Sequence, residues 1–321
     1  MGKAFISVIV PVYQGEKTLV SLVKELSDYF QPTISGAGHE MVISEVFLVH
    51  DCGPDRSDSV IRGLSEAYSQ VKPIWLTRNF GQHAATLAGL SSATGDWLVT
   101  MDEDGQHNPS NIADLLDAAI DNDLQIVYAK PNSKDPDSFL RSITSRLSKR
   151  VAKLIMGLDN AVYFHSFRII RGDIGRSLAA YCGYGVYMDV GIHWLADRIG
   201  HCRVGMRAEM GRPSGYTYPK LLAHFWGMLL TSGTKPLRLI SLFGLLSLLV
   251  GLSIGVFAVY EKLVGNVDVQ GWTSLVVLIC FFSGFILLAI GVIAEYLAIA
   301  LGISMGKPLY VISDRSNRQS K

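Results

Sequence analysis

"WLVTMDEDGQHNP", Trp97 to Pro109, decides how this chain is read. A short β-rich run ends abruptly in Asp102, Glu103 and Asp104, with Gln106 close behind. An apolar run of this length bounded by turn residues reads as a buried strand, so the acids mark its carboxyl end. Carboxylates this close repel and raise one another's pKa, and no lysine or arginine stands beside them. A cation from outside the chain is therefore expected. Asp102, Asp104 and Gln106 alternate, so an extended backbone points them the same way. An oxygen-only set suits Mg2+ or Mn2+, which binds few protein groups and completes its shell with phosphate and water.

Working outward, the same grammar repeats up to about residue 235. "FISVIV", "SEVFLV", "KPIWL" and "QIVYA" read as further strands. Helical stretches are expected near Lys17–Tyr29, Asp58–Gln70, His83–Ala93 and Ser110–Asp121. Strands alternating with helices predict an α/β domain with a mostly parallel sheet covered on both faces. Ligands of such sheets bind at the carboxyl ends of strands, where "MDEDGQ", "PVYQGE" and "HDCGPD" all fall. Three common ligand loops are missing from the sequence: G-x-G-x-x-G after a strand, G-x-x-x-x-G-K-[ST] and G-x-S-x-G. These absences argue against dinucleotide, P-loop and serine-hydrolase chemistry.

The chain has 321 residues, with 29 basic against 28 acidic side chains. That balance argues against a polyanion binder, so no nucleic-acid partner is expected. Cysteines 52, 182, 202 and 280 show no C-x-x-C spacing, which fits a reducing compartment rather than a disulfide or zinc scaffold. The apolar start "FISVIVPVY" is too short for a signal peptide.

Beyond residue 235 the composition changes. Two nearly uninterrupted apolar stretches, 237–260 and 273–295, are each long enough to span a bilayer as a helix. Lys220, Lys235 and Arg238 precede the first; Lys307, Arg315, Arg318 and Lys321 follow the second. The joining loop carries one lysine against two acids, so the positive-inside rule puts both termini in the cytoplasm. The expected organisation is a catalytic domain over 1–218, a juxtamembrane segment over 219–236, a transmembrane pair within 237–303 and a cytoplasmic tail over 304–321. Within the first domain, 139–157 reads as a basic amphipathic helix lying in the interface. Gly244, Gly251 and Gly255 offer a small-residue face for helix packing or homo-oligomer formation.

Several ordered motifs carry a resemblance: "SVIVPVYQGEKTL", "VHDCGPDRS", "TRNFGQHAATLAGLSSATGDWLVTMDEDGQHNP", "SFRIIR", "GRPSGYTYPKLL" and, further on, "KPLRLISLFG", "AEYLA" and "GKPLYVI". Together they resemble family 2 glycosyltransferases, and most of all the polyprenyl-phosphate glycosyltransferases. The resemblance covers nearly the whole chain. It implies a GT-A fold, Rossmann-like, followed by a two-helix transmembrane hairpin. The implied reaction moves one sugar, with inversion, from a nucleotide-diphospho-sugar to a polyprenyl phosphate (undecaprenyl phosphate by preference) at the bacterial inner membrane, for cell-envelope glycan synthesis.

Carried over position by position, the resemblance implies that Pro11, Tyr13 and Glu16 line the donor's base and ribose and that Asp51 hydrogen-bonds the base. Asp102 and Asp104 become the D-x-D element, with Gln106 helping to hold Mg2+ or Mn2+. Arg168 is expected at a phosphate and Asp189 near the acceptor. Arg212, Ser214 and Tyr216 are expected to close over the diphosphate. Arg141 and Arg146 are candidates for cradling the acceptor phosphate. The chain departs from the family at His50, where an aspartate is usual, at Gly105, where leucine is common, and at the inserted Pro213. A processive polysaccharide synthase would need a Q-x-x-R-W motif, which the sequence lacks. A non-catalytic sugar-nucleotide-binding adaptor is the reading from a different class, and a metal-dependent transfer assay separates it from an enzyme.

Overall fold

A computed structural model describes residues 2–132, 164–183, 186–207, 235–264 and 271–313. The chain divides into two compact units, one made of Met1–Leu221 with Pro308–Lys321 and the other of Leu222–Lys307.

The first unit is built on a mixed sheet. Its strands are β1 (Ala4–Val12), β2 (Thr33–Ile34), β3 (Glu40–His50), β4 (Val71–Trp75), β5 (Trp97–Thr100), β6 (Ile126–Pro131), β7 (Arg168–Arg171) and β8 (Ile199–Val204). The order is β2-β3-β1-β5-β7-β6-β8, with β4 also paired to β3. β4, β3, β1 and β5 run parallel, as do β6 and β8. β7 is antiparallel to both its neighbours, and the two-residue β2 is antiparallel to β3. The mostly parallel sheet is thus crossed by one reversed strand that joins its two halves.

Period-2 alternation splits β1 between two cores. Ile6, Val8, Val10 and Val12 enter one cluster with α1 (Leu19–Ser27), α2 (Ser57–Ala67) and α4 (Asn111–Asp121). Ile9 enters the other with α3 (Gln82–Ser92), α5 (Gly172–Tyr181) and α6 (Met188–Leu195). The helices follow from their spacing. Leu19, Leu22, Val23 and Leu26 recur at one-face intervals in α1, and Ile112, Leu115, Leu116 and Ala119 do the same in α4. In α3 the burial is continuous from Ala84 to Leu90, as befits a helix packed on both the sheet and its neighbours.

A buried polar cluster pins β1, β3 and β4 together. Glu45 accepts hydrogen bonds from Ser7 Oγ (2.6 Å), Lys72 Nζ (2.5 Å), Thr94 N (2.9 Å) and Thr94 Oγ1 (2.9 Å). Burial alone would raise its pKa, but these donors outweigh burial and bring it from 4.5 to about 2. A carboxyl held low in the fold stabilises it above the unfolded pKa and loses that contribution as pH falls toward the folded value. Glu45→Gln is therefore expected to remove on the order of 3 kcal/mol near neutrality and to flatten the acid limb of stability between pH 4.5 and 2. Thermal unfolding of the full chain in detergent, measured across that range, checks this.

The far edge of β4 is not bare. Thr77 N donates to Val311 O (3.0 Å) and Ser313 N to Trp75 O (2.7 Å), around an antiparallel bridge between Leu76 and Ile312. Tyr310 OH adds a bond to Ser91 Oγ (3.0 Å). Part of the expected tail thus works as an edge cover, which blocks pairing with other chains.

The second unit holds α7 (Lys235–Val264) and α8 (Trp272–Ser304), 30 and 33 residues long. Phe281–Ser304 is the one segment among the described residues long and apolar enough to cross a membrane, with a mean hydropathy of 2.4. It runs nine residues beyond the expected end at 295. In α7 the corresponding apolar stretch among described residues is Leu242–Gly251. Among the described residues, one helix of the expected pair has the length and apolarity of a span. Phe281, Leu287, Leu288 and Ile290 of α8 are exposed, as are Phe243 and Phe257 of α7; helices apolar on every side need lipid or protein around them. The expected interfacial helix 139–157 and most of the juxtamembrane segment lie outside the described residues.

Candidate active site

Because β3, β1 and β5 are neighbours in the sheet, the loops at their carboxyl ends lie side by side. After β1 the chain turns through Tyr13, whose side chain is exposed, to Glu16; Pro11 is buried within the strand. Four successive amides of this loop end on side chains. Tyr13 N and Gln14 N donate to Glu103, Gly15 N to Ser57 Oγ (2.8 Å) and Glu16 N to Asp55 Oδ2 (3.1 Å). Glu16 in turn accepts from Arg56 N (3.3 Å).

After β3, Asp51 is 3% exposed. Its carboxylate accepts from Phe80 N (2.7 Å) and Gly81 N (2.8 Å), which fixes the loop leading into α3. Burial pushes its pKa up and these two amides pull the other way, with burial prevailing. The residue expected to bind a base thus already holds backbone. His50, the departure beside it, is buried edge-on to Trp75 with ring centroids 5.6 Å apart.

After β5 the acidic loop shows how its charge is managed. Asp102 accepts from Gln82 Nε2 (2.6 Å) and Ser166 Oγ (2.5 Å). Desolvation raises its pKa against those two bonds and the nearby positive charge. Its own amide donates to His107 Nδ1 (3.0 Å). Burial brings the His107 pKa down to about 4, so the ring is neutral, with Nδ1 as acceptor, and it stacks on Phe167. Asp104 Oδ1 accepts from Gln106 N (3.0 Å), closing a tight turn. Gly105 inside that turn has φ +77°, the left-handed region where a β-carbon is strained. This departure from the family pattern is what its backbone requires.

Arg168 and Asp189, expected near phosphate and acceptor, are found paired with each other. Arg168, 3% exposed, directs Nη1 at Asp189 Oδ1 and donates from Nε to Thr100 Oγ1 (3.2 Å). Tyr128 OH donates to the same Asp189 oxygen (3.0 Å), and the guanidinium lies 5.5 Å from the Tyr128 ring centre. Burial works against the charge of Arg168, but Asp189 and Tyr128 more than offset it and raise its pKa. Asp189 lies in the first turn of α6, where the helix dipole favours a carboxylate. Arg141, Arg146, Arg212, Ser214 and Tyr216 lie outside the described residues.

Residues 7–178, more than half of the chain, match Glycosyl transferase family 2. The chain belongs to that family. Among curated relatives of this glycosyltransferase, an uncharacterized glycosyltransferase of Bacillus subtilis is 25% identical, covering 98% of this chain and 95% of its own. The undecaprenyl-phosphate 4-deoxy-4-formamido-L-arabinose transferase of Edwardsiella ictaluri is 26% identical, covering 97% and 94%. Among solved structures, glucosyl-3-phosphoglycerate synthase from Mycobacterium tuberculosis, in complex with Mn2+, UDP-glucose and phosphoglyceric acid, superposes with a TM-score of 0.50. It covers 72% of this chain and 79% of that one at 17% identity, which establishes a shared GT-A fold.

No cluster of three or more His, Cys, Asp or Glu side chains converges as a ready-made cation cage among the described residues of the glycosyltransferase. Asp102, Asp104 and Gln106 nevertheless offer oxygen donors within one short loop, a set that fits a hard divalent ion that keeps water and phosphate ligands. Sequence reading missed Gln82 and Ser166, and gave Glu103 no role beyond its charge. The first two contact Asp102 across 20 and 64 residues, and neither separation has a periodicity to betray it.

Proposed function

We propose that this glycosyltransferase moves one sugar from a nucleotide-diphospho-sugar to a polyprenyl phosphate, undecaprenyl phosphate by preference, inverting the anomeric carbon. The work is done at the cytoplasmic face of a bacterial inner membrane and feeds cell-envelope glycans. The observation that carries the reading is the Asp102–Gln106 oxygen loop, set beside the Tyr13–Glu16 and Asp51 loops in a chain whose α8 is long and apolar enough to cross a membrane. Relatives named for undecaprenyl-phosphate transfer, similar along nearly the whole chain, supply the acceptor class.

In the reaction, a phosphate oxygen of the acceptor forms a bond to the anomeric carbon as the bond to the donor's diphosphate breaks. The electron pair leaves with the nucleoside diphosphate. A phosphate monoester has a second pKa near ~6 and is largely dianionic at neutral pH, so no strong general base is required. Asp189, fixed by Arg168 and Tyr128, then serves to position the acceptor or sugar. Tyr13 and Glu16 flank the donor's base and ribose, and Asp51 holds the neighbouring loop in shape for it. Mg2+ or Mn2+, when held by Asp102, Asp104 and Gln106, would neutralise charge on the leaving diphosphate. Arg212, Ser214 and Tyr216 complete the diphosphate side in this reading, and Arg141 and Arg146 the acceptor phosphate.

The test uses full-length protein in nanodiscs with undecaprenyl phosphate, Mg2+ or Mn2+, and a panel of radiolabelled nucleotide sugars. One donor is expected to move its label into the lipid phase, and chelation is expected to stop it. Label that goes only to water or to soluble phosphates would reject the lipid acceptor.

A further inference from the structure

Glu103 stands between the two aspartates of the acidic loop, and the mechanism above gives it no task. Its carboxylate reaches back across the sheet. Oε2 accepts from Tyr13 N (3.0 Å) and Oε1 from Gln14 N (2.9 Å), ninety residues earlier in the chain. The fit is close: a β-carbon on the next residue, Gly15, would lie 2.7 Å from Glu103 Oε2. Ser57 and Asp55 take the following two amides, so every amide from Tyr13 to Glu16 is held by a side chain. Glu103 alone of these three comes from the Asp102–Gln106 loop.

We propose that Glu103 is a positioning residue that ties the Tyr13–Gly15 loop to the Asp102–Gln106 loop. The two ends of the donor site are thereby set at a fixed spacing before the donor arrives. The inference rests on the donor-site reading above. Hydrogen bonds to a carboxylate are about twice as strong as neutral ones, and a loop ordered in advance costs less to order on binding. The tied loop faces the base end of the donor and does not touch the bond that breaks. Its contribution is therefore the same in ground and transition states, and such binding appears in KM rather than in kcat.

The experiment measures binding of UDP, GDP and dTDP with Mn2+ to full-length protein in nanodiscs, by calorimetry. The preferred nucleotide is expected to bind Glu103→Ala roughly tenfold more weakly than wild type. Glu103→Gln, which keeps one amide oxygen as acceptor, should recover part of that loss. With the sugar donor found in the transfer screen, KM should rise by a similar factor while kcat changes little. Glu45→Gln serves as the comparison, since it is expected to lower the unfolding temperature without altering nucleotide affinity. Equal affinity in wild type and Glu103→Ala overturns the proposal. So does a loss in Glu103→Ala that Glu45→Gln reproduces at a matched fall in stability, because the effect is then general loosening. Wild type that binds none of the three nucleotides overturns the donor-site reading itself.

Discussion

Asp104→Asn is expected to slow sugar transfer by about a hundred- to a thousandfold while leaving the fold intact. Asparagine has the same shape and keeps an oxygen to accept the Gln106 amide, so the turn that Asp104 Oδ1 closes at 3.0 Å survives. The lost feature is the charge. Asp104 is half-buried and its neighbourhood contains no lysine or arginine in sequence to take over. Stability should therefore move by no more than about 0.5 kcal/mol. Asp102→Asn is a different experiment, because Gln82 and Ser166 both donate to that carboxylate and an amide nitrogen would face one of them. Loss of activity there would mix chemistry with repacking. Transfer by Asp104→Asn at the wild-type rate under saturating Mg2+ and Mn2+ would remove Asp104 from the reaction and with it the cation reading of the loop.

How far the sequence reaches can be judged on single elements. β1, β3, β4, β5 and β6 hold β-rich, largely apolar runs closed by turn residues, and each emerges where such a run is found, although β3 carries Glu45 and β4 carries Lys72 and Pro73. The helices α1, α2 and α4 likewise follow their 3.6-residue spacing, and α3 its alanine-rich run, to within a few residues at the ends. β7 escaped because "RIIR" is four residues flanked by arginines, and arginine is almost never fully buried unless paired. The partner that makes burial tolerable, Asp189, lies 21 residues further on. β8, "IGHCRV", has neither apolar continuity nor clean alternation, and its pairing with β6 is decided by long-range packing. The cover that Val311–Ser313 lays on β4 depends on contacts across more than 200 residues.

The site divides along the same line. Asp102 and Asp104 could be picked out because polar residues at strand ends advertise themselves in a parallel sheet, whereas Asp51 stands out only through the family resemblance. The partners of Asp51 and Asp102 could not, since they come from the distant Phe80–Gln82 segment and from Ser166. For the same reason the resemblance could place Arg168 at a phosphate but could not show that the fold pairs it with Asp189.

That pairing leads to the largest stability effect expected in the molecule. Arg168→Ala should destabilise the protein by about 3–5 kcal/mol, because it leaves Asp189 buried beneath Tyr128 without its counter-charge. Thermal unfolding of the full chain in detergent measures it. Replacing both partners, with Arg168→Met and Asp189→Leu, should restore part of the loss, since apolar groups of similar volume often match a buried ion pair. The residue of the deficit, about 1–3 kcal/mol, belongs to the Tyr128 hydroxyl left without its acceptor, and adding Tyr128→Phe should recover part of it. The three variants also decide what the pair is for. A refolded double mutant that binds nucleotide but transfers no sugar assigns Asp189 to acceptor or sugar positioning, with Arg168 acting through it. One that is both stable and active would reduce the pair to a fold-specifying contact between β7 and α6, and the acceptor would have to be held by other residues.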